Sequence, residues 1–303
     1  MLLKKEPLVS ILMTAYNREK YIAEAIESVL ASTYTNFELI IVDDGSKDRT
    51  VEIARSFEKK DNRIKVYVNE TNLGDYPNRN KAASYARGKY LKYLDSDDVI
   101  YEHSLTVMVE AIEKFPNVAY AFLSATIQDD DSPYPKIYSP EQCYFENFFN
   151  GGFFYPGPVG TIILKSAFDA IGGFSGIRMV GDYELWLALG ARFNVLKIQP
   201  GLIWWRRHEG QEYYTGHKSN IYLKLIYNVT IKALESKECP LSDELRTIAI
   251  KKWKNLQSRA IMKLFLKGDF KLGFDIFKFS ELKYPDLVVS LVQRRKNLTN
   301  KKL

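Results

Sequence analysis

Only two cysteines, Cys143 and Cys239, occur among 303 residues, far apart and without metal-ligand spacing. A disulfide framework and a cysteine-based zinc site are thereby excluded, and a reduced, cytoplasmic setting is expected. Nor does any stretch approach the roughly 18–20 uninterrupted apolar residues of a membrane-spanning helix. The amino terminus M-L-L-K-K-E-P puts Glu6 and Pro7 where a secretory signal needs an apolar core, so the chain is expected not to be exported. No G-x-G-x-x-G follows the first apolar run, which disfavours a dinucleotide dehydrogenase. No internal repeat is present.

Charge is unevenly placed. The net charge is +6, yet from Arg246 onward fifteen Lys and Arg face four Asp and Glu, so that stretch carries +11 and the rest −5. A mildly acidic body followed by a basic tail points to an anionic partner for the tail alone. Lys251, Lys252, Lys254, Lys263 and Lys267 interleave with Trp253, Leu256, Ile261, Leu264, Phe265 and Leu266. Two readings stand: a helix lying on anionic lipid, or a solvated face whose apolar side packs on the body. Nucleic acid is not expected as a partner, since no binding motif accompanies the charge.

Val9 to Met13, Phe37 to Val42, Ile64 to Asn69, Tyr90 to Leu94 and Val118 to Leu123 are short apolar, β-branched or aromatic runs, each predicted as a strand buried on both faces. Between them, Tyr21, Ile22, Ala25, Ile26, Val29 and Leu30 recur at helical spacing, and Arg49 to Phe57 and Asn78 to Ala86 repeat the theme. Alternating strand and helix predicts an α/β protein with a mostly parallel central sheet flanked by helices. Gln128 to Tyr144 reads as an irregular loop. Beyond Gly160, strands at Thr161 to Leu164, Val195 to Ile198 and Leu202 to Trp205, with helices near Ala167 and Tyr183, predict a smaller mixed addition. From about Lys218 the pattern is helical. The expected division is a catalytic domain over 1–217, made of a nucleotide-binding half (1–100) and an acceptor half (101–217), and a basic helical extension over 218–303.

The fourth strand ends in Y-L-D-S-D-D, three carboxylates within four positions. If the strand stays extended, Asp95 and Asp97 point the same way, and two hard oxygen ligands suit Mg²⁺ or Mn²⁺. The alternative is that Ser96, Asp97 or Asp98 caps a helix beginning near Tyr101. The first strand runs into Thr14-Ala15-Tyr16-Asn17-Arg18 and the second into Asp43-Asp44-Gly45-Ser46. Polar turns at one sheet edge, exposed backbone groups and a Tyr ring able to stack predict a crevice that holds a nucleotide.

In order, V-S-I-L-M-T-A-Y-N, I-I-V-D-D-G-S-K-D-R-T, N-L-G-D-Y-P-N-R-N-K-A and Y-L-D-S-D-D resemble the amino-terminal half of inverting family 2 glycosyltransferases of the GT-A fold, bacterial polysaccharide type. The resemblance covers about 90 residues and implies a metal-dependent transfer of one sugar from a nucleotide-sugar, UDP-linked by expectation, to an acceptor hydroxyl on a saccharide or lipid-linked saccharide. It implies that Thr14, Ala15, Tyr16, Asn17 and Asp44 hold the nucleoside, that Arg79 approaches base or diphosphate, and that Asp95 and Ser96 face the sugar-nucleotide. Asp97, with Asp95, would ligate Mn²⁺ or Mg²⁺.

Gly181-Asp182-Tyr183-Glu184-Leu185-Trp186 resembles the family's Glu-Asp motif followed by Leu-Trp, making Asp182 the catalytic base. Gly181 stands where the family has Glu, which puts a neighbouring acceptor contact in doubt. Glu184 stays a rival base or acceptor contact, and Asp182 also reads as a helix cap. Trp186 reads either as a platform for the acceptor sugar or as core. Arg206-Arg207-His208 resembles the family's Arg-x-His segment, with His208 a further metal or diphosphate ligand; His103 and His217 read as surface residues. Through the basic C-terminal helices the enzyme would sit at the inner face of the plasma membrane. A nucleotidyltransferase and a degenerate sugar-nucleotide-binding protein are the alternatives. The first would ordinarily bring a Gly-rich, Lys-containing loop that T-A-Y-N-R does not supply.

Overall fold

In a computed structural model that describes residues 6–128, 132–208 and 221–287, β1 (Val9–Ala15) and β2 (Phe37–Asp43) pair in parallel, Val9 opposite Phe37 and Ala15 opposite Asp43. Alternation along the strands sends Ile11, Met13, Leu39 and Ile41 into one apolar cluster and Leu12, Ile40 and Val42 into another. Each cluster is completed by helices. α1 (Ile22–Leu30), α2 (Thr50–Glu58) and α4 (Ser104–Glu113) cover the first side. α3 (Asp75–Ser84), α5 (Pro140–Phe149), α6 (Lys165–Ala170) and α7 (Gly181–Arg192) cover the second. Burial on both faces is why these strands read as unbroken apolar runs.

With β3 (Ile64–Val68), β4 (Tyr90–Tyr93), β6 (Val118–Leu123), β7 (Lys136–Tyr138), β8 (Thr161–Leu164) and β9 (Asn194–Ile198), the sheet runs β3-β2-β1-β4-β8-β6-β9-β7. β8 is antiparallel to β4 and β6, and β7 is antiparallel to β9; the other six strands share one direction. A separate antiparallel pair, β5 (Val99–Ile100) with β10 (Ile203–Trp204), brings the segment before His208 against the segment after Asp98. This pairing closes one wall of the site.

Four expectations need correction. β3 is not buried on both faces, because it is the sheet's edge; Lys65 and Val68 are exposed. The stretch 128–144 is not wholly irregular. It contains β7 and the start of α5, where Ser139 and Gln142 form a reciprocal capping box around Pro140, a start signal that the surrounding polar residues obscured. The helix expected near Tyr101 begins at Ser104. Asp98 does not cap it: the N-cap position is His103, with no side-chain cap bond, while Asp98 is buried and accepts the Arg206 backbone N–H at 3.0 Å.

Lys92, fully buried in the middle of β4, donates to the carbonyls of Tyr93 and Val159, tying the sheet to the turn before β8. Burial pulls its ammonium down to about 7, with the Asp95 and Asp98 charges working the other way.

The last elements are α8 (Ile221–Glu235), α9 (Asp243–Leu266) and α10 (Phe270–Phe279). Val229, Leu234, Leu241 and Ala249 join the core beside α5 and α7, and Lys252 Nζ donates to the Phe148 carbonyl at 2.7 Å. Tyr227, Ile261, Ile276 and Leu282 form a smaller cluster among these helices. Of the apolar side of the basic stretch, Trp253 packs on the body and Ile261, Leu264 and Phe265 pack within the terminal helices, while Leu256 is exposed. Leu266, Phe270 and Phe274, at the turn between α9 and α10, stay exposed. The expected boundary at 217/218 and His217 lie outside the described residues. Among the described residues no helix is long and apolar enough to cross a membrane.

Candidate active site

The carboxyl ends of β1, β2 and β4 meet, as ligand sites in open α/β sheets do. The turn after β1 is locked to the turn after β2. Asp44 N–H donates to the Ala15 carbonyl at 2.8 Å, Asn17 N–H to Ser46 Oγ at 2.8 Å, and Lys47 N–H to Asn17 Oδ1 at 2.8 Å. Asn17 adopts a left-handed φ of 53°, which Asn tolerates better than most residues. Ala15 is buried, Thr14 half-buried, and Tyr16 leaves 45% of its surface exposed, so its ring is available for stacking.

Asp44 is buried, and its carboxylate holds the 69–74 loop. Oδ1 accepts from Asn69 Nδ2 at 2.8 Å and from Leu73 N–H at 2.8 Å, and Oδ2 accepts from Gly74 N–H at 2.9 Å. The neighbouring Asp43 organises its own turn through the Gly45 and Ser46 N–H groups at 3.0 and 2.8 Å.

β4 ends at Tyr93, before the acidic run, so Asp95 and Asp97 leave the strand and find different partners. Asp95 Oδ1 accepts from an Arg79 Nη at 2.7 Å, while Arg79 Nε donates to Asp75 Oδ1 at 2.8 Å. Burial acts to lower the Arg79 pKa, but the Asp75 and Asp95 carboxylates outweigh it and hold the guanidinium well above its ordinary value. Its remaining Nη is buried without a hydrogen-bond partner among the described residues.

Asp97, 7% exposed, accepts on Oδ2 from Arg18 Nε at 3.0 Å, and His208 Nε2 lies 2.9 Å from the same oxygen. Tyr21 packs on the imidazole at a centroid distance of 4.8 Å. Arg206 fastens this corner: Nε donates to the Asp97 carbonyl at 2.8 Å, and its guanidinium pairs with Glu24 and lies over Trp204. Ser96 is buried between the two acids.

The residues expected on the acceptor side, Asp182, Glu184 and Trp186, lie in the first turns of α7. The N-cap is Val180, so Asp182, the second helical residue, is not the cap. Its Oδ1 accepts the Tyr183 N–H at 2.7 Å. Burial pushes the Asp182 carboxyl up from its ordinary 3.8 to about 6, while the Tyr183 N–H, Tyr76 and Arg79 pull it down and Asp75 adds to the rise. Glu184 accepts from Ser175 Oγ and lies 3.8 Å from Lys232 Nζ, so it faces the preceding loop and α8. Trp186 is fully buried; its indole N–H donates to the Pro156 carbonyl at 2.8 Å and its ring stacks on Tyr120. No face of it is open to a sugar, which corrects the expectation of an acceptor platform.

The sequence pattern of the family described as Glycosyl transferase family 2 matches residues 10–180, more than half of the chain. The chain belongs to this family. As a family 2 glycosyltransferase it is 32% identical over 199 residues to the Escherichia coli UDP-Glc:alpha-D-GlcNAc-diphosphoundecaprenol beta-1,3-glucosyltransferase WfgD, covering 65% of this chain and 75% of that one. Its fold is that of GT-A glycosyltransferases. TarS 1-349 of Staphylococcus aureus in complex with UDP-GlcNAc superposes with a TM-score of 0.62 at 20% identity, over 82% of this chain and 71% of that one. The mannosyltransferase PcManGT of Pyrobaculum calidifontis, in complex with GDP-Man and Mn²⁺, superposes with a TM-score of 0.57 at 14% identity, over 99% and 89%.

Local sequence assigns no role to Arg18, Asp75 or Tyr76, and places Arg206 only within the Arg-x-His segment. The i, i+4 spacing of Asp75 and Arg79 was a visible signal for one pair. Nothing local predicted that Arg18 reaches Asp97, 79 positions away.

Proposed function

We propose that this glycosyltransferase moves a single sugar from a UDP-sugar to an acceptor hydroxyl with inversion, Asp182 taking the acceptor's proton. The observation that carries this reading is the buried Arg79, which pairs with Asp95 on the donor side and acts on Asp182 on the acceptor side. The Arg79 charge would thus be felt on both sides of the displacement. Asp182 suits the base's role: a carboxyl near 6 is ionised at neutral pH and more basic than an exposed carboxylate.

Thr14, Ala15, Tyr16 and Asn17 would hold the nucleoside, with Asp44 shaping that wall through the 69–74 loop it bonds. Asp95 and Ser96 would face the ribose and sugar. The UDP-GlcNAc complex of TarS supports a uridine donor.

Among the described residues no three His, Cys, Asp or Glu side chains cluster as a complete metal site. The residues nonetheless fit a divalent ion. Asp97 and His208 converge as a carboxylate–imidazole pair, and Asp98 Oδ2 beside them is buried without a hydrogen-bond partner among the described residues. Burial above all, then Asp95 and Asp97, push the Asp98 carboxyl up to about 8, against the Arg206 N–H and Lys92. Mg²⁺ or Mn²⁺ commonly uses one or two protein carboxylates and completes its shell with phosphate and water. Asp97 and His208 would hold it, with Asp95 adjacent; PcManGT, crystallised with Mn²⁺, supports the reading. Bound there, the ion would neutralise charge on the departing diphosphate. Arg18, on Asp97, is placed to share that work.

The acceptor we infer is a lipid-linked saccharide in polysaccharide synthesis at the inner face of the plasma membrane, in keeping with the acceptor in WfgD's name. Exposed Leu266, Phe270 and Phe274 alternate with exposed Lys263, Lys267 and Lys271, a surface suited to anionic lipid. In this reading the chain divides into a catalytic domain over 1–217 and a membrane-facing helical extension over 218–303.

The test is a transfer assay with a panel of nucleotide-sugars and a polyprenol-diphosphate-linked acceptor, with the product's anomeric configuration read by NMR. A retained configuration, or transfer undiminished in Asp182→Asn, would overturn the reading.

A further inference from the structure

Lys92 is a fully buried lysine that the proposed chemistry does not use. Its ammonium donates to the Tyr93 carbonyl at 2.9 Å and to the Val159 carbonyl, and among the described residues it bonds to no carboxylate. A buried cation without an anion is costly, and a methionine would fill the same space without the charge. What the charge secures is the turn over residues 156–160. β8 runs antiparallel to β4, Leu91 opposite Ile163, so the residues before Thr161 lie at the carboxyl end of β4, where the run to Asp95 begins. The turn straddles that edge of the sheet. Val159 packs on the apolar cluster that α1, α2 and α4 cover, the side on which Lys92 and its register partner Ile11 lie. From the opposite cluster, the Trp186 indole N–H donates to the Pro156 carbonyl at 2.8 Å, and Trp186 stands about one helical turn after Asp182 on α7. Within the turn, the Gly160 N–H donates to the Gly157 carbonyl at 3.0 Å and Thr161 Oγ1 to the Pro158 carbonyl at 2.9 Å. Every carbonyl from Pro156 to Val159 thus accepts a bond from within the fold.

We propose that the 156–160 turn braces the strand end that leads to Asp95 against the helix that carries Asp182, and that Lys92 is the positioning residue that seats it. The proposal rests on the reading of Asp95 as a donor-side group and Asp182 as base. Lys92 holds one end of the brace and Trp186 the other, one from each face of the sheet. An in-line transfer depends on how the two sides are set relative to each other, and a misplacement of about 1 Å can cost ~10²-fold in rate. Binding of donor or acceptor, each by its own side, does not depend on that separation. The brace therefore acts on kcat and leaves affinity nearly untouched. It also accounts for a lysine in a strand whose neighbouring positions, Leu91 and Tyr93, are core.

Lys92→Met removes the charge and both bonds while keeping the chain's length, and its Tm should stay close to that of the unsubstituted protein, since the lost bonds are offset by the buried charge removed. The expected result is a kcat lowered ~10- to 100-fold, with KM for the UDP-sugar and for the acceptor changed less than ~3-fold. Trp186→Phe frees the other end of the turn and should lower kcat in the same way. Because both substitutions break one brace, the double variant should lose little more than the worse single one, whereas two unrelated structural lesions would add. Independently of catalysis, hydrogen exchange read by mass spectrometry should find the Gly160 N–H less protected in Lys92→Met. Undiminished kcat in either single variant, or losses that add in the double one, would overturn the proposal; Trp186→Phe decides it alone if Lys92→Met does not fold. Full transfer by Asp182→Asn would instead overturn the base, leaving hydrogen exchange to report the anchoring of the turn by itself.

Discussion

His208 and Asp97 stand 111 positions apart in the chain and meet at 2.9 Å, on the same carboxylate oxygen that receives Arg18. The encounter is made by the β5–β10 pair, which lays Ile203 against Ile100 and carries the residues after Trp204 back over the acidic run. In the proposed reading a divalent cation would compete with Arg18 for Asp97 and find the imidazole as a second ligand.

Asp97→Ala should abolish the stabilisation that Mn²⁺ and UDP together confer, and His208→Ala should weaken apparent Mn²⁺ affinity ~10- to 100-fold. Differential scanning fluorimetry across a Mn²⁺ titration at fixed UDP reads both. Equal Mn²⁺ dependence in all three proteins would rule these residues out as ligands.

Transfer should fall with acidification through about pH 6, because Asp182 must be ionised to accept a proton and burial raises its carboxyl from 3.8 to about 6. Asp182→Asn should cost ~10²- to 10⁴-fold in kcat. The stability sign is opposite. The unfolded chain ionises Asp182 at a lower pH than the folded one, so the native carboxylate costs stability above about pH 6, and that cost is relieved as pH falls toward 4. Urea titrations should therefore find Asp182→Asn more stable by about 1 kcal/mol at neutral pH, with no advantage in strong acid.

Gly181→Ala should destabilise the fold by about 1–3 kcal/mol, since the added methyl meets the Tyr76 ring at 2.8 Å with Phe174 behind it. The penalty should shrink in a Tyr76→Ala background, where the ring is gone; a double-mutant cycle by urea denaturation measures the coupling. Additive losses would mean the ring is not the obstacle.

Trp186→Ala should lower stability by about 3–5 kcal/mol, as removal of a fully buried indole does. Trp186→Phe, which loses the bond to the Pro156 carbonyl but keeps an aromatic ring on Tyr120, should fold with reduced Tm and leave acceptor KM unchanged. A selective rise in acceptor KM would reinstate a sugar-contacting role.

If the C-terminal helices rest on lipid, the full chain should co-sediment with vesicles containing anionic phospholipid and less so with neutral ones, binding weakening as salt is raised. Phe270→Ser with Phe274→Ser should reduce that binding without lowering Tm much, since both rings leave more than half of their surface exposed. Salt-insensitive binding, or none, would count against a lipid surface.

The alternating α/β order and the sheet edge carrying Thr14, Asp44 and Asp95 were legible in the residues, because apolar period and turn chemistry are local properties. The start of α5 was not, its capping box being set in a polar, aromatic stretch. Whether Asp98 caps is open in the sequence: an acid before a helix has the same local signature whether it caps, ligates or is buried, and only Arg206, 108 positions on, decides.

The sequence by itself determined the family and the candidate residues: four motifs in order, a carboxylate at 182, and an odd glycine before it. Tertiary structure alone decided the partnerships: Asp97 with His208, Arg79 between Asp75 and Asp95, Trp186 in the core, and Tyr76 in the space Gly181 leaves open. The reason is physical. Side-chain chemistry and backbone period are carried by each short segment, whereas which groups share a buried volume depends on how sheet order and strand pairing bring distant segments together.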